Sequence, residues 1–100
     1  MGATPEGKVK ELVKELLKRQ GAWYFLPVSL GLGAHGIPDF IGCYKGRTFG
    51  IETKAPGKKP TALQLRQKGL IETAGGAWFL VDGEDSLQRV QQWMEGFNES

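Results

Sequence analysis

The stretch that decides the fold is Gly36-Ile37-Pro38-Asp39-Phe40-Ile41-Gly42-Cys43-Tyr44-Lys45-Gly46-Arg47-Thr48-Phe49-Gly50-Ile51-Glu52-Thr53-Lys54. It reads as two short strands, Asp39 to Tyr44 and Thr48 to Thr53, joined by a two-residue turn at Lys45-Gly46. A two-residue turn makes paired positions sum to 91. Tyr44 then faces Arg47, Gly42 faces Phe49, and Asp39 faces Glu52. Residues directly opposed across a strand pair have Cβ atoms about 4.5–5.5 Å apart, where like charges repel. Two carboxylates meeting there are destabilising unless something holds them. A divalent cation does so, and hard oxygen ligands suit magnesium (Mg2+) or manganese (Mn2+). The bland alternatives are a one-residue slip of register, or acids that point to water at the strand ends. Along the second strand Gly50, Glu52 and Lys54 share one face, and Phe49, Ile51 and Thr53 share the other. Lys54 therefore stands beside Glu52. Two acids with a lysine form a hydrolytic constellation, in which a cation lowers the pKa of a bound water and neutralises phosphate charge. An ordinary surface ion pair is the competing reading, contributing ~0–1 kcal/mol.

Outward from this hairpin the elements alternate. Val9, Leu12, Val13, Leu16 and Leu17 make one apolar stripe of a helix. Thr4-Pro5-Glu6 starts that helix and Gly21 stops it. Trp23-Tyr24-Phe25-Leu26 reads as a buried strand halted by Pro27. Residues 29–38 are a glycine-rich loop, and residues 55–60 a second loop. Thr61 caps a helix carrying Leu63, Leu70 and Ile71, with Gly69 inside it. Residues 77–81 form a strand, Asp82-Gly83 a turn, and Leu87, Val90, Met94 and Phe97 lie at helical spacing. The order α-β-β-β-α-β-α places the chain in the α/β class as one domain over residues 1–100. Gly31-Leu32-Gly33-Ala34-His35-Gly36 matches the dinucleotide-binding glycine pattern. Pro38 disfavours a helix opening there, so that site is rejected in favour of a flexible loop, or one whose backbone approaches something closely.

Charge is unevenly spread over the 100 residues. Residues 1–44 carry five basic and four acidic side chains, residues 45–68 seven and one, and residues 69–100 one and six. The central excess, including Lys45, Arg47, Lys58, Lys59, Arg66 and Lys68, offers a phosphate-facing surface, of which Lys58-Lys59 is best placed. A solvated turn and helix face explains the same charges equally well. A single cysteine, Cys43, excludes an internal disulfide framework and suits a reducing compartment. Neither a leader pattern nor an apolar run of membrane-spanning length is present, so a cytoplasmic location is expected.

Ile37-Pro38-Asp39, twelve intervening residues, then Glu52-Thr53-Lys54 resembles the PD-(D/E)-X-K nuclease signature. The wider strings Gly36 to Gly42 and Ile51 to Thr61, followed by Gln64, resemble the stand-alone VRR-NUC domains of phages and bacteria, as does the opening helix. The resemblance implies a restriction-endonuclease-like core with a small central mixed sheet, and an Mg2+-dependent endodeoxyribonuclease. It makes Asp39, Glu52, the Thr53 carbonyl and a first-helix acid the metal ligands. Glu6 matches that acid best, with Glu11 and Glu15 as rivals. It makes Lys54 the catalytic lysine and Gln64 a polar residue of the following helix. It also implies branched DNA, such as a Holliday junction, as substrate, and a homodimer in a bacterial or phage-infected cell. The motif is unbroken. The rivals are a non-cleaving DNA-binding module and a nuclease subunit that needs a partner protein. For a dimer, Trp93, Met94 or Phe97 are candidate contacts, although they could equally close the monomer core. His35 reads as a solvent-facing loop histidine.

Overall fold

The computed structural model describes residues 4–28 and 33–98. Seven elements follow in order: α1 (Pro5–Gln20), β1 (Trp23–Phe25), β2 (Phe40–Tyr44), β3 (Arg47–Thr53), α2 (Ala62–Thr73), β4 (Ala77–Val81) and α3 (Glu84–Asn98). The α/β class and the α-β-β-β-α-β-α order are those expected from sequence.

The sheet has spatial order β1-β2-β3-β4. The first three strands are antiparallel, and β4 runs parallel to β3, so the sheet is mixed. A parallel neighbour needs a crossover, and α2 supplies it. The β2–β3 register runs from Phe40↔Ile51 to Tyr44↔Arg47, each pair summing to 91. The turn is a primed one, with Lys45 at φ 48° and Gly46 at φ 82°, matching the twist of the flanking strands.

Alternation along β3 sorts the layers. Phe49 and Ile51 face α1 and α3, where Val9, Val13, Leu16, Leu17, Val90 and Met94 complete a buried core with Phe40 and Val81. Gly50 faces the other way, against Pro38 and Ile71 of α2. α1 forms because its apolar stripe matches the helical period and both its ends are satisfied. The Thr4 hydroxyl accepts the Gly7 N–H at 3.0 Å, and Gly21 closes the far end in the left-handed region.

One sequence expectation changes, and one open alternative is resolved. The strand at Trp23 is not buried: it is the sheet's edge, with Trp23 63% and Phe25 47% exposed. Only Tyr24, between them, turns inward against Phe40. An unbroken apolar run gave no sign that one face lacks a covering layer. The last helix closes the monomer core: Met94 is fully buried, and Trp93 packs edge-on against Phe49, Phe79 and Phe97. Trp93 and Phe97 are partly buried against that core.

Of the glycine-rich pattern, Gly31 and Leu32 lie outside the described residues. At Gly36 the backbone does approach closely. It sits at φ +79°, and a Cβ there would lie 2.4 Å from the Leu63 carbonyl carbon and oxygen. Only glycine lets this loop rest on the first turn of α2, three residues before Asp39. Gly36→Ala combines left-handed strain with a backbone overlap and should cost about 2–4 kcal/mol. Thermal denaturation of the variant checks this; an unchanged melting temperature would show that the contact is not required.

Candidate active site

Glu52 is the centre of the site. It lies on the central strand β3 with α2 above it, and is only 3% exposed. The next residue of the same face, Lys54, places Nζ 3.8 Å from Glu52 Oε2. Gln64 Nε2 donates to the same oxygen at 2.9 Å. Glu52 Oε1 is buried with no hydrogen-bond partner.

Gln64 is fixed at both ends of its amide. Its Oε1 accepts the Thr61 N–H at 2.8 Å, while Thr61 Oγ1 accepts the Gln64 N–H at 3.2 Å. This reciprocal capping box starts α2. With the amide oxygen committed to the cap, the amide nitrogen is left to face Glu52. The helix start and the site are one structure.

Asp39 enters from the residue before β2. The ladder ends at Phe40↔Ile51, so Asp39 and Glu52 follow its last pair and are not themselves partnered in it. The Asp39 carboxylate instead turns to Thr53, whose N–H and hydroxyl both donate to Oδ2, at 2.9 and 2.6 Å. The two acids are nonetheless electrostatic neighbours. The Glu52 pKa rises from 4.5 to about 7, first through burial and then through the Asp39 carboxylate. Lys54 opposes the rise, Glu6 adds to it and Lys10 reduces it.

The first turn of α1 reaches the site electrostatically. Glu6 lies close enough to act on Glu52, and Lys10 holds it in an ion pair at 3.6 Å. Glu11 is engaged with Lys14 at 3.3 Å and does not figure among the groups acting on Glu52; neither does Glu15. The i,i+4 spacing of Lys10 from Glu6 is the readable signal for this pair. The signature motif points to the Thr53 carbonyl and carries no sign of the role its hydroxyl takes toward Asp39.

The basic candidates divide. Lys58 and Lys59 lie exposed in the loop that leaves β3. The Gly57 N–H donates to Asp82 Oδ2 at 3.3 Å, tying this loop to the end of β4. Arg66 is exposed on α2. Lys45 and Arg47 sit at the hairpin turn, the opposite end of β3 from Glu52, roughly 17 Å away at strand rise. Arg47 bonds the Gly75 carbonyl at 3.4 Å and lies over the Phe97 ring. Lys68 lies over Trp78 and pairs with Glu72. His35 is exposed, and its carbonyl accepts from Gln67.

Among the described residues, no three His, Cys, Asp or Glu groups converge closely enough to form a metal cage. Magnesium does not require one: it is commonly held by one or two carboxylates, with water and substrate phosphate completing its shell. Glu52 Oε1, buried and without a donor, is what such an ion would satisfy, and a cation would also favour the ionised Glu52. The donor set fits a hard divalent ion.

A mixed β-sheet with α1 and α3 on one face and α2 on the other, carrying an acid–acid–lysine cluster at one end of its central strands, defines the restriction-endonuclease-like class. A solved structure described as a VRR_NUC domain superposes with a TM-score of 0.76 and 25% identity, covering 90% of this chain and 97% of that one. The "Putative nuclease p44" of Acyrthosiphon pisum secondary endosymbiont phage 1 is 34% identical over 77 residues, 76% of this chain and 80% of that protein. No family model matches. The chain belongs to the VRR-NUC family.

Glu52 carries a testable signature in the metal-free protein. Its folded pKa is above the unfolded value, so the folded state binds the proton more tightly between pH 4.5 and about 7. The contribution is fully present below 4.5 and is lost as pH rises through 7. In chelator, Glu52→Gln should melt higher than wild type at pH 8, by about 5 °C, and close to wild type at pH 4.5. Parallel melting curves across the range would contradict the burial of an ionisable Glu52.

Proposed function

We propose that the chain is a metal-dependent endonuclease that hydrolyses DNA phosphodiester bonds, selectively in branched duplexes such as four-way junctions, and acts as a homodimer. The observation that carries the reading is Glu52: a buried carboxylate with one oxygen held by Lys54 and Gln64 and the other open, beside Asp39. A protein does not ordinarily leave such a group unsatisfied unless the site has a ligand to accept.

In this reading Asp39, Glu52 and the Thr53 carbonyl, with Glu6 from α1, would hold Mg2+ or Mn2+, which when bound would supply neutralisation of phosphate charge and a water of lowered pKa. Thr53 aims Asp39, and Gln64 aims Glu52 from the helix cap. Lys54 is partly withdrawn from solvent, so its charge is little screened. It stabilises negative charge as it builds on the phosphate and helps position the attacking water. Lys58 and Lys59, on the loop anchored by Asp82, hold the DNA backbone next to the site. Lys45 and Arg47, at the far end of the sheet, would be reached only by a long or bent duplex. No base-reading element is apparent in the sequence, so recognition rests on backbone and shape. Among the described residues no helix is long and apolar enough to cross a membrane. A cytoplasmic location in a bacterial or phage-infected cell suits the single free cysteine, Cys43.

Asp39→Ala, Glu52→Ala and Lys54→Ala should each reduce Mg2+-dependent cleavage of a labelled four-way junction by at least about 100-fold, with the fold retained by circular dichroism. Substantial cleavage by Glu52→Ala would overturn the assignment. Replacing Lys58 and Lys59 together by alanine should flatten the salt dependence of DNA binding, by roughly 0.9 in the slope of log K against log salt for each lost phosphate contact. An unchanged slope would place this loop away from DNA.

A further inference from the structure

The face of the sheet that carries the site is only half covered. Partners across an antiparallel pair share a face, so Trp23, Cys43 and Thr48 point the same way, as do Phe25, Ile41 and Gly50. Gly50 lies against Ile71 of α2, and by alternation Glu52 and Lys54 point to that side too. α2 packs on β3 and β4. Toward β1 the same face is open: Trp23 and Phe25 stand exposed, with Ile41 and Cys43 half-buried beside them. The two rings brace each other, with centroids 5.7 Å apart and planes tilted by 50°.

Their distance from the site follows from the ladder. Phe25 is level with Gly50, two strands away, and Glu52 is two residues further along β3. At a strand spacing of about 4.8 Å and a rise of about 3.4 Å per residue, Phe25 lies roughly 12 Å from Glu52, and Trp23 roughly 17 Å. A stacked strand advances about 3.4 Å per nucleotide, so both rings lie within about five nucleotides of the site. The charge around them has one sign. From Leu16 to Pro38 the sequence holds no acid, and the first acid after them, Asp39, belongs to the site itself. Lys18 and Arg19 lie exposed in the last turn of α1, just before β1. Neither forms an ion pair among the described residues. An aromatic patch beside positive charge alone suits a polyanion with flat apolar faces. It does not suit a second copy of the same patch, which would bring like charges together.

We infer that Trp23 and Phe25 form a stacking platform for unpaired nucleobases of the DNA strand that passes the site. Inside a duplex the base faces are taken up by their neighbours. At a branch, flap or gap they are free to lie on an aromatic ring, while Lys18 and Arg19 meet the flanking phosphates. Every base has such a face, so the platform reads the presence of an unpaired nucleotide and not its sequence. It favours substrates with a few unpaired nucleotides next to the scissile bond. This rests on the nuclease reading above and narrows its substrate.

Binding measured in chelator tests this apart from cleavage. The probes are a fluorescein-labelled blunt hairpin duplex and the same hairpin with a single-stranded thymidine tail of about five nucleotides, read by fluorescence anisotropy. The tail should tighten binding to wild type by at least about 10-fold. Trp23→Leu combined with Phe25→Leu should lose that gain and bind the blunt hairpin as wild type does. Trp23→Tyr combined with Phe25→Tyr keeps a ring at each position and should retain the gain. Circular dichroism checks that both variants are folded. Equal affinity of wild type for the two probes, a leucine variant that keeps the preference or a tyrosine variant that loses it would overturn the inference. So would a leucine variant whose sedimenting mass at micromolar concentration falls below that of wild type while its preference for the tail persists, since the rings would then belong to a contact between copies. None of these outcomes bears on the cleavage assay of Asp39, Glu52 and Lys54, by which the nuclease reading stands or falls separately.

Discussion

The structure is organised around one unfavourable act, the burial of Glu52 on the central strand beside a second carboxylate. Burial and Asp39 both raise the energy of its charged form. Surrounding features offset that cost in part. Lys54 follows two residues later on the same face, and the capping box of α2 holds the Gln64 amide nitrogen against Oε2. The compensation is one-sided, because Oε1 receives nothing. A core packed for stability alone would have put a hydrophobic residue here. The incomplete satisfaction of Glu52 leaves one buried carboxylate oxygen open, and this is the feature on which the proposed metal site rests.

The same constraint explains the layering. For Glu52 to be buried, the face of β3 that carries it must be covered, while the opposite face carries the apolar core. The core of α1 and α3 covers one, and α2 the other. α2 can lie close only because Gly36 lets the preceding loop rest against its first turn, and that loop delivers Asp39. Backbone contact, helix cap and the acid–acid–lysine cluster are therefore coupled within a few residues. Damage to the loop reaches the chemistry through position.

Much of this was legible in the sequence because local rules and the global fold agree. Thr4, Pro5 and Gly21 bound a helix whose stripe is unambiguous, and Lys45-Gly46 sets the hairpin register to the residue. Strand alternation alone put Lys54 beside Glu52. What remained hidden depends on layers that periodicity does not report. The exposure of Trp23 follows from its strand being an edge, and an apolar run reads alike in the centre and at the rim. Helical spacing suits Trp93 and Met94 equally to an interface or a core, and only the packing of α3 on Phe49 and Phe79 distinguishes the two. The turn of Asp39 toward Thr53 depends on where the β2–β3 ladder stops, one residue short of the acids. Gln64 was singled out by resemblance, yet Thr61-Ala62-Leu63-Gln64 already has the spacing of a capping box, and that would have oriented its amide.

The central claim is that Glu52 is held open for a divalent ion. Calorimetric titration of the purified chain with Mn2+, alongside Glu52→Gln, tests it most directly. The variant keeps the shape of the side chain and removes the charge. Saturable binding to wild type that is lost in Glu52→Gln, with both proteins folded, is the predicted result. Equal binding to the two proteins, or no binding to wild type, would contradict the account.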